Sequence, residues 1–212
     1  MKKVLFVVFL LPLFSAFAQN QEVLKKLDSK ADFYGDIARQ IWANPELGYL
    51  ETNSSALLQK TLSDAGFKVT AGVAEIPTAF VAEYGSGKPV IGIMAEFDAL
   101  PGVSQSAVPF KSPVVEGGAG HACGHHLFGA ASVASGIAVM DWMKENKIKG
   151  TLRVYGTPAE EGGGGKVYIA RAGLIQDVDV MMHWHPSSQN AAGATSSLAN
   201  ICLLYTSDAA DE

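Results

Sequence analysis

The residues best suited to chemistry lie in one short loop, GAGHACGHH, at positions 118–126. Within it stand His121, Cys123, His125 and His126. Thiolate and imidazole are ligands that suit Zn²⁺. Because a single glycine separates Cys123 from His125, both side chains could reach one ion from an irregular loop. The spacing alone leaves three interpretations open: a metal site, a thiol active site, or a crowded structural loop.

A second candidate is the adjacent carboxylate pair Glu160 and Glu161 in YGTPAEEGGGG. Neighbouring residues of an extended segment point to opposite sides, so one carboxylate can bind metal while the other faces substrate and water. That division suits metal-assisted hydrolysis. Taken in isolation, a solvated acidic pair is the simpler interpretation. The glycine run is not a P-loop, since Lys166 is followed by Val167 rather than by a hydroxyl residue.

Further polar residues end two predicted strands. Glu96 and Asp98 close the segment PVIGIMAEFDA, and His183 and His185 close VDVMMHWH. Two-residue spacing places the two histidines on one face of a strand. We expect His185, beside Pro186, to reach a site, and His183 to be a hydrogen-bonded core histidine.

The elements that must position these residues alternate along the chain. Helices are predicted over 21–42, 53–65, 127–145 and 167–172, and strands over 67–73, 79–85, 89–99, 151–157 and 178–185. This alternation predicts an α/β fold with an at least partly parallel sheet, covered on both faces. Ligands of such sheets bind beyond the carboxyl ends of the strands, where all four clusters fall. The small-residue helix over 127–145 should approach the sheet closely.

Composition limits the classes of function. The chain has 212 residues, of which 48% are hydrophobic and 17% charged, enough apolar material for a sizeable core. A formal net charge of −5 without a basic stripe argues against nucleic-acid and anionic-membrane partners. Residues 1–18 have the form of a cleaved signal peptide, so we expect an exported, periplasmic or secreted protein. An oxidising compartment would allow a Cys123–Cys202 disulfide if Cys202 is genuine.

The last eleven residues, CLLYTSDAADE at 202–212, look like the in-frame translation of a sequencing-library adapter. We therefore expect them to be an artefact and the natural chain to be interrupted there. Cys123 then has no disulfide partner, which favours a ligand or a nucleophile.

Five ordered motifs carry a family resemblance: NPELGYLET, AEFDALPG, GHACGHH, TPAEEG and VDVMMHWHP. In order and spacing they resemble the dinuclear-metal aminoacylase and carboxypeptidase superfamily, specifically its amidohydrolase branch, and are most similar to the aminobenzoyl-glutamate utilisation protein B group. The resemblance implies a zinc-peptidase-like α/β fold with a largely parallel mixed sheet flanked by helices. Residues 19–190 would be the first part of the catalytic domain, and 191–201 the start of an otherwise missing lid and dimerisation domain.

The resemblance also implies roles for individual residues and two divalent metal ions, Zn²⁺ or Mn²⁺. Four residues would bind metal: Cys123, His125, Glu161 and His185. Glu160 would be the general base and acid. Asp98 would either support the site from behind or shape the turn that follows it. His126 stands where many relatives have Asp, His183 stands where Gly is usual, and His121 would have a supporting role.

The predicted function is a metal-dependent hydrolase that cleaves the amide of an N-acyl or N-aroyl amino acid or a dipeptide-like substrate. The intact protein would be a homodimer. The interrupted chain would be inactive alone, since the family takes a further histidine from the missing part. Two alternatives stay open: a thiol hydrolase in which His121 or His125 activates Cys123, and a periplasmic metal-binding protein without turnover.

Overall fold

The structure is a computed structural model that describes residues 21–189. Three predicted segments lie outside the described residues: the leader 1–18, the lid start 191–201, and the tail 202–212 with Cys202. The domain boundaries drawn there stay predictions.

Helices and strands alternate in the predicted order. After a helical segment at 21–29, the helices are α1 (Ala31–Ala43), α2 (Thr52–Ala65), α3 (His125–Asn146) and α4 (Gly165–Arg171). The strands are β1 (Lys68–Ala71), β2 (Phe80–Ser86), β3 (Val90–Ala95), β4 (Gly150–Gly156) and β5 (Val180–Met182). None of the helices within residues 21–189 is long and apolar enough to cross a membrane.

The five strands form one mixed sheet in the order β1-β2-β4-β3-β5. β2 pairs antiparallel with β1 and β4, whereas β3 pairs parallel with β4 and β5. The α/β class with a mixed sheet flanked by helices is confirmed. Because Ala95 of β3 lies opposite Gly156 of β4, the chain segments that follow these two strands leave the sheet side by side. Glu96 and the Glu160 loop therefore start from the same edge.

Both faces of the sheet are covered. On one face α1, α2 and α3 enclose a large apolar core that includes Ile41, Leu58 and Phe97. α3 lies close to the sheet because of its small residues: a side-chain Cβ on Gly136 would come within 2.6 Å of Val154. On the other face α4 covers a smaller cluster that contains Tyr155, itself 1% exposed.

The prediction of a buried strand over 178–185 is wrong. β5 spans only Val180–Met182, and its residues are exposed or half-buried. Within the described residues β5 pairs only with β3. The chain then leaves the sheet, and the rings of His183, Trp184 and His185 pack around Phe128 at centroid distances of 5.0, 5.4 and 6.1 Å. The two histidines therefore do not share a strand face.

Candidate metal centre

The buried half of the centre is built where β3 ends and α3 begins. Glu96 and Asp98 directly follow β3 and are 2% and 1% exposed. His125 is the first residue of α3 and is completely buried. Gly124, just before it, has φ +84, a conformation that other residues rarely adopt. This turn aims His125 at the two carboxylates.

Both ring nitrogens of His125 face a carboxylate. Nδ1 lies 2.9 Å from Asp98 Oδ1, and Nε2 lies 3.0 Å from Glu96 Oε2. Burial alone would lower the pKa of His125, but these contacts outweigh it and raise the pKa to about 10. Burial would likewise raise the pKa of Glu96, yet His125 and Lys166 lower it to about 2. The pair is therefore charged at neutral pH when no cation is bound.

Asp98 joins the end of β3 to the acidic loop. Its Oδ1 meets His125, and its Oδ2 accepts the backbone N–H of Glu161 at 2.8 Å. Of the two roles considered for Asp98, these contacts favour support of the site over shaping the turn. A carboxylate that orients a metal-binding histidine through its other ring nitrogen is a common arrangement.

Glu160 and Glu161 differ in environment, although they lie in a turn rather than in the extended segment that the sequence predicted. Glu160 is exposed and Glu161 half-buried, with its Oε1 4.0 Å from His125 Nε2. Just before them, Ala159 has the unusual φ of +56. Its backbone N–H donates a hydrogen bond of 2.8 Å to the buried carboxylate of Glu51. The fold thus fixes the backbone that delivers the two carboxylates.

Cys123 and His185 form the outer half of the centre, with Sγ 3.3 Å from Nε2. Nδ1 of His185 lies 2.9 Å from the Pro186 carbonyl oxygen, which can only accept a hydrogen bond. This contact places a proton on Nδ1 and leaves Nε2 as the nitrogen that faces Cys123. The partner of Cys123 is therefore His185, whereas the thiol alternative expected His121 or His125.

The electrostatics oppose a thiolate nucleophile. Burial, followed by the nearby Glu161 carboxylate, raises the pKa of Cys123 to about 12. Nucleophilic cysteines need the opposite shift, which a positive neighbour provides. Cys123 is the free cysteine of the described residues, and a bound cation would supply the missing positive charge.

The remaining histidines contribute unequally. His121 is 9% exposed, neither ring nitrogen has a hydrogen-bond partner, and its ring lies 5.2 Å from that of His126. Burial and then His126 lower its pKa to about 4, although the backbone of Ile41 acts in the opposite direction. Neither His121 nor His126 contacts the carboxylates.

The expectation that His183 is a core histidine is wrong: its side chain is 47% exposed, with Nε2 3.4 Å from Glu96 Oε1.

The donor atoms fit divalent cations. Within the described residues two sets each bring donor atoms within 4.8 Å of one another: Cys123, His125 and His185, and Glu96, His125 and Glu160. Three buried atoms near their common member make no hydrogen bond of good geometry, although the first two lie 3.0 Å apart: His125 Nε2, Glu96 Oε2 and Glu161 Oε1. Such orphaned atoms are costly unless a ligand satisfies them. The mixture of thiol, imidazole and carboxylate suits Zn²⁺, and the carboxylates also accept Mn²⁺.

Two residues of this centre received no role from the sequence. Glu96 stands two positions before Asp98, and in an extended segment that spacing puts both side chains on the same side. This was the signal that could have found Glu96. Lys166, whose Nζ contacts Glu96 Oε1, belongs to α4, and no spacing rule connects it with the end of β3.

Comparison with known proteins agrees with this geometry. Residues 92–197 match the peptidase family M20/M25/M40. The chain belongs to this family. One component of the p-aminobenzoyl-glutamate hydrolase of Escherichia coli K12 is 44% identical over 186 residues, which are 85% of this chain and 39% of that protein. A hippurate hydrolase of Campylobacter jejuni is 31% identical over 75% of this chain and 40% of its own length.

The fold of this M20 chain also matches solved structures. A dinuclear metal binding peptidase of the M20 family from Bacillus subtilis superimposes with a TM-score of 0.65 and 26% identity, over 76% of this chain and 44% of the other. An aminobenzoyl-glutamate utilization protein from Klebsiella pneumoniae shares the fold, with a TM-score of 0.57 and 17% identity, over 78% of this chain and 46% of the other. The chain spans about two fifths of the length of the curated relatives named above.

Proposed function

We propose that this chain is the amino-terminal part of an exported metallo-amidohydrolase. Its substrate would be an N-acyl or N-aroyl amino acid or a dipeptide-like amide of the aminobenzoyl-glutamate type. The observation that carries the proposal is the convergence of buried metal-binding atoms on His125, beside the exposed carboxylate of Glu160. The 44% identity to a component of a p-aminobenzoyl-glutamate hydrolase supports the choice of substrate.

Four side chains would hold two divalent ions, Zn²⁺ or Mn²⁺: Cys123, His125, Glu161 and His185. When bound, such ions polarise an amide carbonyl and lower the pKa of water. Asp98 keeps the proton of His125 on Nδ1, so that Nε2 is the nitrogen that faces the cation. Because that nitrogen must lose its proton first, metal binding releases protons.

Glu160 is proposed as the general base and acid. It is exposed, so water and substrate can reach it, yet its carboxylate lies within 4.8 Å of donor atoms of Glu96 and His125. It would take a proton from the attacking water and return it to the nitrogen of the leaving amine. Proton transfer of this kind contributes typically 10²- to 10⁴-fold to a rate.

The rest of the protein belongs to the same proposal. A lid and dimerisation domain beyond residue 190, together with a further histidine, would complete the site in a homodimer. Activity is therefore expected from the product of the uninterrupted gene rather than from residues 1–212 alone.

The test is Glu160→Gln in the product of the uninterrupted gene, with aminobenzoyl-glutamate as substrate. We expect turnover to fall by about 10²- to 10⁴-fold while the bound metal, measured by elemental analysis, stays at the wild-type level. Retention of wild-type turnover would show that Glu160 is not the base. Turnover that survives complete metal removal would instead favour the Cys123 thiol.

A further inference from the structure

The carboxylate of Glu96 is divided between two kinds of partner. Its Oε1 contacts Lys166 Nζ and lies 3.4 Å from His183 Nε2. Its Oε2 is buried and lies 3.0 Å from His125 Nε2, without good hydrogen-bond geometry. One oxygen is thus held in place while the other stays available at the metal-facing side of the histidine.

The separation of these atoms is close to that of two ligands of one ion. Imidazole nitrogen and carboxylate oxygen bind Zn²⁺ at about 2.0–2.2 Å, so two tetrahedral ligands of one ion lie about 3.3–3.6 Å apart. The 3.0 Å between Glu96 Oε2 and His125 Nε2 is slightly shorter than this separation, and the 4.0 Å between Glu161 Oε1 and Nε2 is slightly longer.

The geometry points to Glu96 as a metal ligand additional to the four already named, and to Lys166 as the positioning residue that turns its free oxygen toward His125. This assignment rests on the proposed metal-dependent function. Glu96 is well placed for the role because it directly follows β3 and is 2% exposed. The sheet therefore holds its backbone in position. Lys166 reaches it from α4, on the opposite face of the sheet from α3.

The position of Lys166 also explains why a buried carboxylate is tolerated. An unpaired buried charge is costly, but Lys166 pairs with Glu96 at Oε1. A cation bound by Glu96 and His125 would supply positive charge at Oε2. Lys166 keeps its own contact with Oε1 throughout, so the carboxylate need not rotate.

The experiment uses the product of the uninterrupted gene, freed of metal and titrated with Co²⁺. Wild type would be compared with Glu96→Gln, Lys166→Met and Lys166→Arg. Glu83→Gln is the matched control, because Glu83 also pairs with a cation, Arg153, but in the middle of the sheet. Both the dissociation constant and the visible spectrum of the bound Co²⁺ would be recorded, since the spectrum reports the ligands directly.

For Glu96→Gln we expect at least tenfold weaker binding of one ion and an altered Co²⁺ spectrum. Lys166→Met should weaken Co²⁺ binding less than Glu96→Gln does, and Lys166→Arg, which keeps the positive charge, should bind Co²⁺ as wild type does. Glu83→Gln should also behave as wild type. An unchanged spectrum and affinity in Glu96→Gln would overturn the assignment. If wild-type protein itself bound no Co²⁺, both the proposed function and the Glu96 assignment would fail. If Glu96→Gln matched wild type and Glu160→Gln abolished turnover, the proposed function would stand and only the Glu96 assignment would fall.

Discussion

His125 and His185 are both expected to bind metal, yet the fold treats them in opposite ways. His125 is completely buried at the start of α3 and is held by carboxylates at both ring nitrogens. His185 is exposed, lies beyond β5, and is held by the carbonyl of the next residue and by Cys123. The inner half of the centre is thus preorganised by the sheet, whereas the outer half depends on an irregular segment that packs on Phe128.

This contrast predicts that the inner histidine matters for folding as well as for metal binding. In His125→Asn, Asp98 and Glu96 would lose a buried ionic partner, although Lys166 would still neutralise Glu96. We expect the free energy of unfolding of the metal-free protein to fall by about 3 kcal/mol, near the lower end for a broken buried ion pair. Urea unfolding followed by circular dichroism measures it, and an unchanged midpoint would show that the buried pair does not stabilise the fold.

A second buried histidine tests the comparison through pH. The pKa of His121 is about 4 in the folded protein, compared with 6.5 for an ordinary histidine. Because folding favours the neutral form of His121, the free energy of unfolding is highest above pH 6.5 and decreases as pH falls toward 4. The loss should be about 3 kcal/mol. Stability measured between pH 7 and 4 should decline less steeply in His121→Phe than in wild type, and equal slopes would contradict the shift.

The outer histidine should give the smallest effect on folding. His185→Asn alters an exposed side chain, so the free energy of unfolding should change by less than about 0.5 kcal/mol. Metal affinity should nevertheless fall at least tenfold. Parallel unfolding and metal titration would show this separation, and a loss of stability as large as that of His125→Asn would remove the distinction between the two halves.

The sequence predicted more of the inner half than of the outer half. Apolar periodicity located α1 and α2, the length of a small-residue segment located α3, and motif order identified the residues that meet at the edge of the sheet. The prediction of a strand over 178–185 failed because the apolar residues of this segment do not show that the chain leaves the sheet after Met182 to pack on Phe128. The Glu96–Lys166 contact could not be predicted from the sequence either, since tertiary packing alone brings together these two residues, which are 70 positions apart.

The central claim is that this centre hydrolyses an amide with the help of bound metal. Its most direct test is turnover of aminobenzoyl-glutamate by the product of the uninterrupted gene, before chelation, after chelation, and after return of Zn²⁺ or Mn²⁺. We predict activity that disappears with the metal and reappears with it. Activity that persists in fully metal-free protein, or that no divalent cation restores while the fold stays intact, would contradict the account.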